Sequence, residues 1–75
     1  MTVTVCYYGL LAERRGLTEE LVTTAATTAA VLYAELALGV SISGLRAAVN
    51  DEFVPWDHPL NDGDRVALLP PMSGG

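Results

Sequence analysis

A chain of 75 residues with 51% hydrophobic and 17% charged residues can form one folded core and is too short for two. Nine acidic residues stand against four arginines and no lysine, which gives a formal net charge of −5. This charge disfavours nucleic acid as a partner, because phosphate binding needs a cationic surface, and a basic protein surface suits it better.

The N-terminal third of the chain predicts a β-hairpin with a helical turn in its connection. Residues 2–8 alternate between two faces, as expected of a half-buried strand. Residues 9–16 contain helix formers and end at a glycine, which predicts a short helix. Residues 17–24 form a second strand, antiparallel to the first. The buried face of the first strand is expected to carry Val3, Val5 and Tyr7.

The middle of the chain predicts a single longer helix. Thr27 or Thr28 can cap its N-terminus, and Gly39 supplies a left-handed residue after Leu38. The opposite face is also apolar, and we interpret it as an alanine-rich surface. The buried stripe is expected to contain Ala29, Leu32, Leu36 and Val40, and the outer face Ala30, Val31, Ala34 and Leu38.

The last thirty residues predict short strands separated by turns. Residues 45–50 form a strand, followed by a turn at 50–52 and an extended piece at 53–56. Residues 57–64 are rich in turn formers. Residues 65–69 are a nearly continuous apolar run, as expected of a central strand covered on both faces. A hairpin, a crossover helix and a final strand parallel to the first predict an α+β fold of the β-grasp, ubiquitin-like type, with one mixed sheet.

Side chains with catalytic potential are few. His58, the only histidine, lies in a turn-rich loop, which favours a loop hydrogen bond over catalysis. Cys6 lies in the middle of a strand and is interpreted as a packing residue. A single cysteine fits a reducing cytoplasm. The acidic turns lack EF-hand spacing, so no metal site is predicted. No signal peptide or membrane span of ~20 apolar residues is evident, and no membrane partner is expected.

The C-terminal end is the most distinctive feature of the sequence. Pro70 and Pro71 stop the last strand and stiffen the segment after it, so we divide the chain into a domain of residues 1–69 and an extended tail of residues 70–75. Ordinary fraying of a terminus is the simpler alternative. The tail comprises Pro70, Pro71, Met72, Ser73, Gly74 and Gly75.

The last two residues of the tail are expected to carry the reactive group of the protein. Gly74 and Gly75 have no side chains, so their backbone can enter a narrow groove beside a nucleotide. The carboxylate of Gly75 is a poor electrophile until another protein activates it with ATP as an acyl-adenylate. Displacement of AMP by sulfur would then give a thiocarboxylate, and the tail would become a sulfur donor. Met72 and Ser73 would set its reach.

Short motifs spread over most of the chain carry a family resemblance. The second half contains Ala47-Ala48-Val49-Asn50, Phe53-Val54, Asp57-His58-Pro59-Leu60, Asp62-Gly63-Asp64, Val66-Ala67, Pro70-Pro71 and Gly74-Gly75. The first strand adds Tyr7-Tyr8-Gly9, followed by Glu13 and Gly16. Together they resemble the MoaD/ThiS sulfur carriers, and most closely the MoaD-like small subunits of molybdopterin synthase. Two departures are Ala12, where the family has arginine, and Gly9, where it usually has alanine.

The resemblance implies a β-grasp fold and a thiocarboxylate on Gly75. It implies three partners: a ubiquitin-activating-type adenylyltransferase that uses ATP, a sulfur-donating enzyme, and the large subunit of molybdopterin synthase. The tail would enter the large subunit, which holds the catalytic residues, and pass sulfur to cyclic pyranopterin monophosphate to make the molybdopterin dithiolene. The small subunit would bind no permanent cofactor.

Three apolar residues are candidates for binding partner proteins. Tyr8, Phe53 and Leu69 are expected on an exposed sheet face, where they would dock partners.

Two alternative functions remain open. One is a sulfur carrier for thiamin thiazole or cysteine synthesis. It ranks lower, because the proline pair before the tail resembles the molybdopterin branch of the family more than the thiazole branch. The other is a ubiquitin-like protein modifier or interaction module. The lack of lysine fits a modifier that is attached to others but cannot form chains on itself.

Overall fold

The chain forms one mixed five-stranded sheet with a helix packed against it. The structure, a computed structural model, describes residues 1–71. Its elements are β1 (Thr2–Tyr7), α1 (Leu10–Arg15), β2 (Glu19–Thr23), α2 (Ala29–Leu36), β3 (Arg46–Val49), β4 (Glu52–Val54) and β5 (Arg65–Leu69). The strand order is β2-β1-β5-β3-β4, with β5 parallel to β1 and the other neighbours antiparallel. The predicted hairpin, crossover helix and parallel central pair are confirmed.

Four positions of the predicted tail lie outside the described residues. They are Met72, Ser73, Gly74 and Gly75. Pro70 and Pro71 are described, and they come directly after the last residue of β5.

One face of the sheet forms the core with α2. Val5 pairs with Val66 and Tyr7 with Leu68 across the parallel strands, and all four side chains are buried, as predicted for β1. Leu32 of α2 is fully buried in the same cluster. Burial of a side chain of this size contributes about 1.5 to 3 kcal/mol, so this central layer holds the helix to the sheet.

Helix α2 begins where predicted but ends earlier. The hydroxyl of Thr28 accepts a hydrogen bond from the backbone N–H of Val31 at 3.2 Å, which identifies Thr28 as the N-cap. The helix ends at Leu36, and Ala37 takes the left-handed conformation with φ of 50°. The prediction of an end at Leu38 followed by a Gly39 cap is therefore wrong.

The early end of α2 changes the environment of the next few residues. Leu38 was predicted on the outer helix face, but it is buried in the core, because the turn at Ala37 redirects the chain inward. The hydroxyl of Tyr33 donates to the carbonyl of Val40 at 2.5 Å and anchors this segment to the helix. Val40 packs against the core, as predicted, but it lies after the end of the helix and not within it.

The β3–β4 hairpin is fixed to β5 by side-chain hydrogen bonds. Asn50 and Asp51 have positive φ, as in the tight turns that favour asparagine and aspartate. The Asn50 amide donates to buried Asp64 at 3.0 Å, and its carbonyl oxygen accepts from the N–H of Arg65. The hairpin turn and the start of β5 are thereby joined.

Strand β4 differs from the predicted extended piece at residues 53–56. It runs from Glu52 to Val54 and ends before Pro55, which has no N–H to donate to a ladder. The ring of Trp56 instead packs edge-on against Tyr33, with 5.6 Å between ring centroids. Strands β2 and β3 are each a few residues shorter than predicted, at ends where fraying is common.

A three-residue network joins α1 to the first hairpin. The hydroxyl of Tyr7 donates to Glu20 Oε2 at 2.6 Å, and Arg15 Nε donates to the same oxygen at 2.5 Å. Hydrogen bonds from Arg15 and then from Tyr7 hold the pKa of Glu20 below its ordinary value. Burial, followed by the hydrogen bond to Glu20, raises the pKa of Tyr7. Arg15 is therefore engaged within the chain.

We expect the substitution Glu20→Gln to lower the free energy of unfolding at pH 7 by about 1 kcal/mol, because it removes a charge-assisted acceptor at a partly exposed site. A carboxyl whose pKa is lowered by folding stabilises the protein above its unfolded pKa of about 4.3. That contribution is lost as the pH falls through the folded pKa. The difference from the unaltered chain should therefore shrink below pH ~4.3, as measured by urea unfolding across pH.

The control is Glu13→Gln, which removes an exposed carboxylate that makes no side-chain hydrogen bond within residues 1–71. Its effect should be small at every pH. A Glu20→Gln effect of the same size at pH 3 and pH 7 would contradict the network.

The longest helix in the described part of the chain, α2, has eight residues, which is too few to cross a membrane.

Candidate docking site at the base of the tail

The second face of the sheet has no helix over it within residues 1–71. Leu21 of β2 and Phe53 of β4 point to this face and are 74% and 66% exposed. On β5, Val66 and Leu68 are fully buried in the core, whereas Leu69 is only half-buried on the open face. The prediction that β5 is covered on both faces is therefore wrong for the part of the chain described. The open face of β5, which carries Arg65, Ala67 and Leu69, is left available to a partner.

A groove lies at the end of this open face, where the tail begins. It has a volume of about 740 Å³ and is open to solvent. The residues that line it are Tyr8, Gly44, Arg46, Phe53, Leu69, Pro70 and Pro71. The structure thus brings the three predicted docking residues together and places the first two tail residues beside them. Their role in docking stays a prediction.

Arg46 is a groove residue that the sequence analysis missed. It pairs with Leu69 across β3 and β5, and its Cζ lies 5.3 Å from the centroid of the Phe53 ring. This is the distance of a cation–π contact. The alternation of β3 contained the signal: Ala47 faces the core, so Arg46 must face the opposite side.

Two glycines flank the proline pair at the base of the tail. Gly9 has φ of 54°, and a Cβ at this position would lie 3.1 Å from Cγ of Pro70. Gly44 has φ of 84°, and its Cβ would lie 3.8 Å from Cβ of Pro71. The departure from the family alanine at Gly9 thus coincides with a close approach of Pro70 that only a residue without a side chain permits unchanged.

Cys6 lies on the open face but is shielded from solvent by its neighbours. It is 3% exposed, and its Sγ donates to Glu19 Oε1 at 3.6 Å. Burial raises the pKa of the thiol, so the nucleophilic thiolate is disfavoured at neutral pH. The interpretation of Cys6 as a packing residue is consistent with this environment.

His58 lies in the loop that contacts the start of α2. Its backbone carbonyl accepts from the N–H of Ala29 at 3.2 Å, and its N–H donates to the carbonyl of Pro55 at 3.0 Å. Within residues 1–71, no three histidine, cysteine or carboxylate side chains lie close enough together to hold a metal ion.

The sequence model of the ThiS family matches residues 5–75, nearly the whole chain. The chain belongs to the ThiS family. This confirms the resemblance to the MoaD/ThiS sulfur carriers, and the ThiS-family assignment covers both the β-grasp body and the sequence of the tail.

One curated relative is the molybdopterin synthase sulfur carrier subunit of Escherichia coli (strain K12). It is 54% identical to this ThiS-family chain over 39 residues, which cover 52% of this chain and 48% of the relative. The matched region therefore spans about half the length of the relative.

Two solved structures show the same fold. Small archaeal modifier protein 1 (SAMP1) from Haloferax volcanii has a TM-score of 0.79 at 22% identity, with 100% of both chains covered. A chain from the complex of subunits 1 and 2 of molybdopterin-converting factor from Helicobacter pylori 26695 has a TM-score of 0.70 at 30% identity, again with 100% of both chains covered. The predicted α+β, ubiquitin-like β-grasp fold is confirmed.

Proposed function

We propose that this ThiS-family chain is the sulfur-carrying small subunit of a molybdopterin synthase, working in the cytoplasm. The observation that carries the proposal is its 54% identity to the E. coli molybdopterin synthase sulfur carrier subunit. The groove adds support, because it places an exposed apolar surface directly beside the first two residues of the tail. A partner that binds this surface would receive the end of the chain.

The reactive group of the proposed carrier is the carboxylate of Gly75. A ubiquitin-activating-type adenylyltransferase would join it to AMP from ATP, with release of pyrophosphate. A sulfur nucleophile delivered by a sulfur-donating enzyme would then displace AMP and leave a thiocarboxylate. ATP is used by the activating partner, and the carrier itself holds no cofactor in this scheme.

The sulfur acceptor would lie in the large subunit of molybdopterin synthase. The H. pylori relative was solved as a complex of subunits 1 and 2, which supports a partner of this kind for the present chain. Two thiocarboxylate-bearing chains, acting in turn, would each pass one sulfur to cyclic pyranopterin monophosphate, and the two sulfurs together would form the molybdopterin dithiolene. Catalytic acids and bases would come from the large subunit. In this chain His58 lies in a loop held by backbone hydrogen bonds, and Cys6 is a buried residue in contact with Glu19.

Reconstitution tests this proposal directly. We expect the chain, incubated with its activating enzyme, ATP and a sulfur donor, to gain the mass difference between sulfur and oxygen, because one carboxylate oxygen of Gly75 is replaced. Intact-mass spectrometry measures the gain. The thiocarboxylate form, mixed with the large subunit and cyclic pyranopterin monophosphate, should then produce molybdopterin, while the carboxylate form should produce none.

The same reaction separates the alternatives. A carrier for thiazole or cysteine synthesis would gain the sulfur mass but produce no molybdopterin with the large subunit. A protein modifier would become attached to lysines of other proteins. An interaction module would remain unchanged in mass, and this outcome would contradict every carrier function.

A further inference from the structure

We propose that Arg46 forms an ion pair with a carboxylate of the large subunit. The partner surface that covers the groove would then be apolar, with one acidic residue opposite Arg46. The inference rests on the proposed function and adds the chemistry of the docking partner. It is opposite to the expectation from net charge, by which an acidic chain of −5 would be paired with a basic surface.

The groove contains one charged residue. Of the seven residues that line it, only Arg46 carries a charge, and the others are aromatic, aliphatic, proline or glycine. Arg46 is exposed and forms no ion pair with any residue among 1–71, in contrast to Arg15 and Arg65, which pair with Glu20 and Glu19. Its positive charge is therefore available to a partner.

The strands present few acidic side chains to the open face. The described strands contain three, of which Glu20 and Glu52 lie in register with core-facing positions of the neighbouring strands. Glu19 faces the open side, but it is paired with Arg65 at 2.7 Å. None of the nine acidic residues lines the groove. A partner at this face meets a local positive charge.

Covering the groove would remove Arg46 from water. An arginine that loses its hydration without gaining an acceptor carries a large penalty, so a partner that docks tightly here must supply one. The Arg46 guanidinium carbon lies over the Phe53 ring, and no side-chain hydrogen bond among residues 1–71 uses its N–H groups, so they are available for two parallel hydrogen bonds. A carboxylate matches this geometry, and the apolar walls of the groove strengthen the attraction by excluding water.

Binding of the large subunit from the same organism tests the inference. The affinity is measured by titration calorimetry for the unaltered chain, Arg46→Glu and Arg46→Met, each in low and high salt. We expect Arg46→Glu to weaken binding by about 30-fold or more, because it places two carboxylates together in a desolvated groove. Arg46→Met should weaken binding less and reduce its salt dependence.

The matched control is Arg14→Glu, which makes the same change of charge at an exposed position of α1 outside the groove. Its affinity should stay within about threefold of the unaltered chain, since rim and remote charges contribute little. Replacing the partner's facing acidic residue with lysine should restore binding of Arg46→Glu. Thermal unfolding of each variant shows whether the fold is retained.

The outcomes separate this inference from the proposed function. If Arg46→Glu binds as tightly as the unaltered chain, or if Arg14→Glu weakens binding equally, the groove has no special acidic contact and the inference is wrong. The proposed function survives either result, because the unaltered chain still binds and delivers sulfur. If the unaltered chain does not bind the large subunit at all, both are overturned.

Discussion

Removal of Gly74 and Gly75 should abolish sulfur transfer completely while leaving the fold unchanged. The truncated chain ends at Ser73, so its terminal carboxylate lies two residues short of the position of the proposed reactive group. It is also attached to a residue with a side chain, which a narrow site built for glycine would not admit. The core of the described residues 1–71 is formed without them, and its buried cluster includes no residue after Leu68 of β5. Thiocarboxylate formation by intact mass, and thermal unfolding of the truncated chain, measure the two effects separately.

The control for truncation keeps both the length of the tail and its last two residues. In the double variant Met72→Ala and Ser73→Ala, the spacing from Pro71 to Gly75 is unchanged, so we expect thiocarboxylate formation to be retained. Binding of the truncated chain to the large subunit should also persist in part, because the groove residues remain. Sulfur transfer by the truncated chain would contradict the role assigned to Gly75.

The substitution Leu68→Ala should lower the free energy of unfolding by about 2 to 5 kcal/mol. Leu68 is fully buried at the centre of the sheet, in register with Tyr7 on one side and Ala47 on the other. Both neighbours lie in hydrogen-bonded strands, which limits how far the structure can collapse around the cavity. A chain of this length has a total stability of only roughly 4 to 11 kcal/mol, so a large fraction is at risk. Urea unfolding at pH 7 measures the loss.

The adjacent residue provides the matched comparison. Leu69→Ala removes the same atoms from the same strand, but on the open face, where the side chain is only half-buried. We expect a loss of stability of about 1 kcal/mol, in proportion to the smaller buried area, together with weaker binding of the large subunit. Equal losses of stability for the two variants would contradict the assignment of opposite faces.

Local patterns were sufficient to predict most of the elements. The alternation of Val3, Val5 and Tyr7 identified the buried face of β1, and Gly16 marked the end of α1. The proline pair after Leu69 correctly located the end of β5. These features depend on neighbours within a few positions, and such interactions are encoded in short stretches of sequence. The family resemblance, confirmed by the match over residues 5–75, supplied the proposed role of the tail.

The errors arose where distant contacts decide the conformation. Ala37 ends α2 in a left-handed conformation that alanine rarely adopts, and burial of Leu38 in the core accompanies it. The prediction of a Gly39 cap relied on local propensity, which tertiary packing overrides. Similarly, the apolar run of β5 does not reveal whether its second face has a covering layer. That depends on where both helices pack.

The sequence by itself determined the order of the elements, the buried side of β1 and the end of β5 at the proline pair. Only the tertiary structure decided that Tyr8, Phe53 and Leu69 line one groove with Pro70, and that Arg46 lies within it. These residues come from β3, β4, the end of β5 and the segment after β1. The sheet order β2-β1-β5-β3-β4 makes them neighbours, because strands distant in sequence pair through long-range hydrogen bonds that no local pattern specifies.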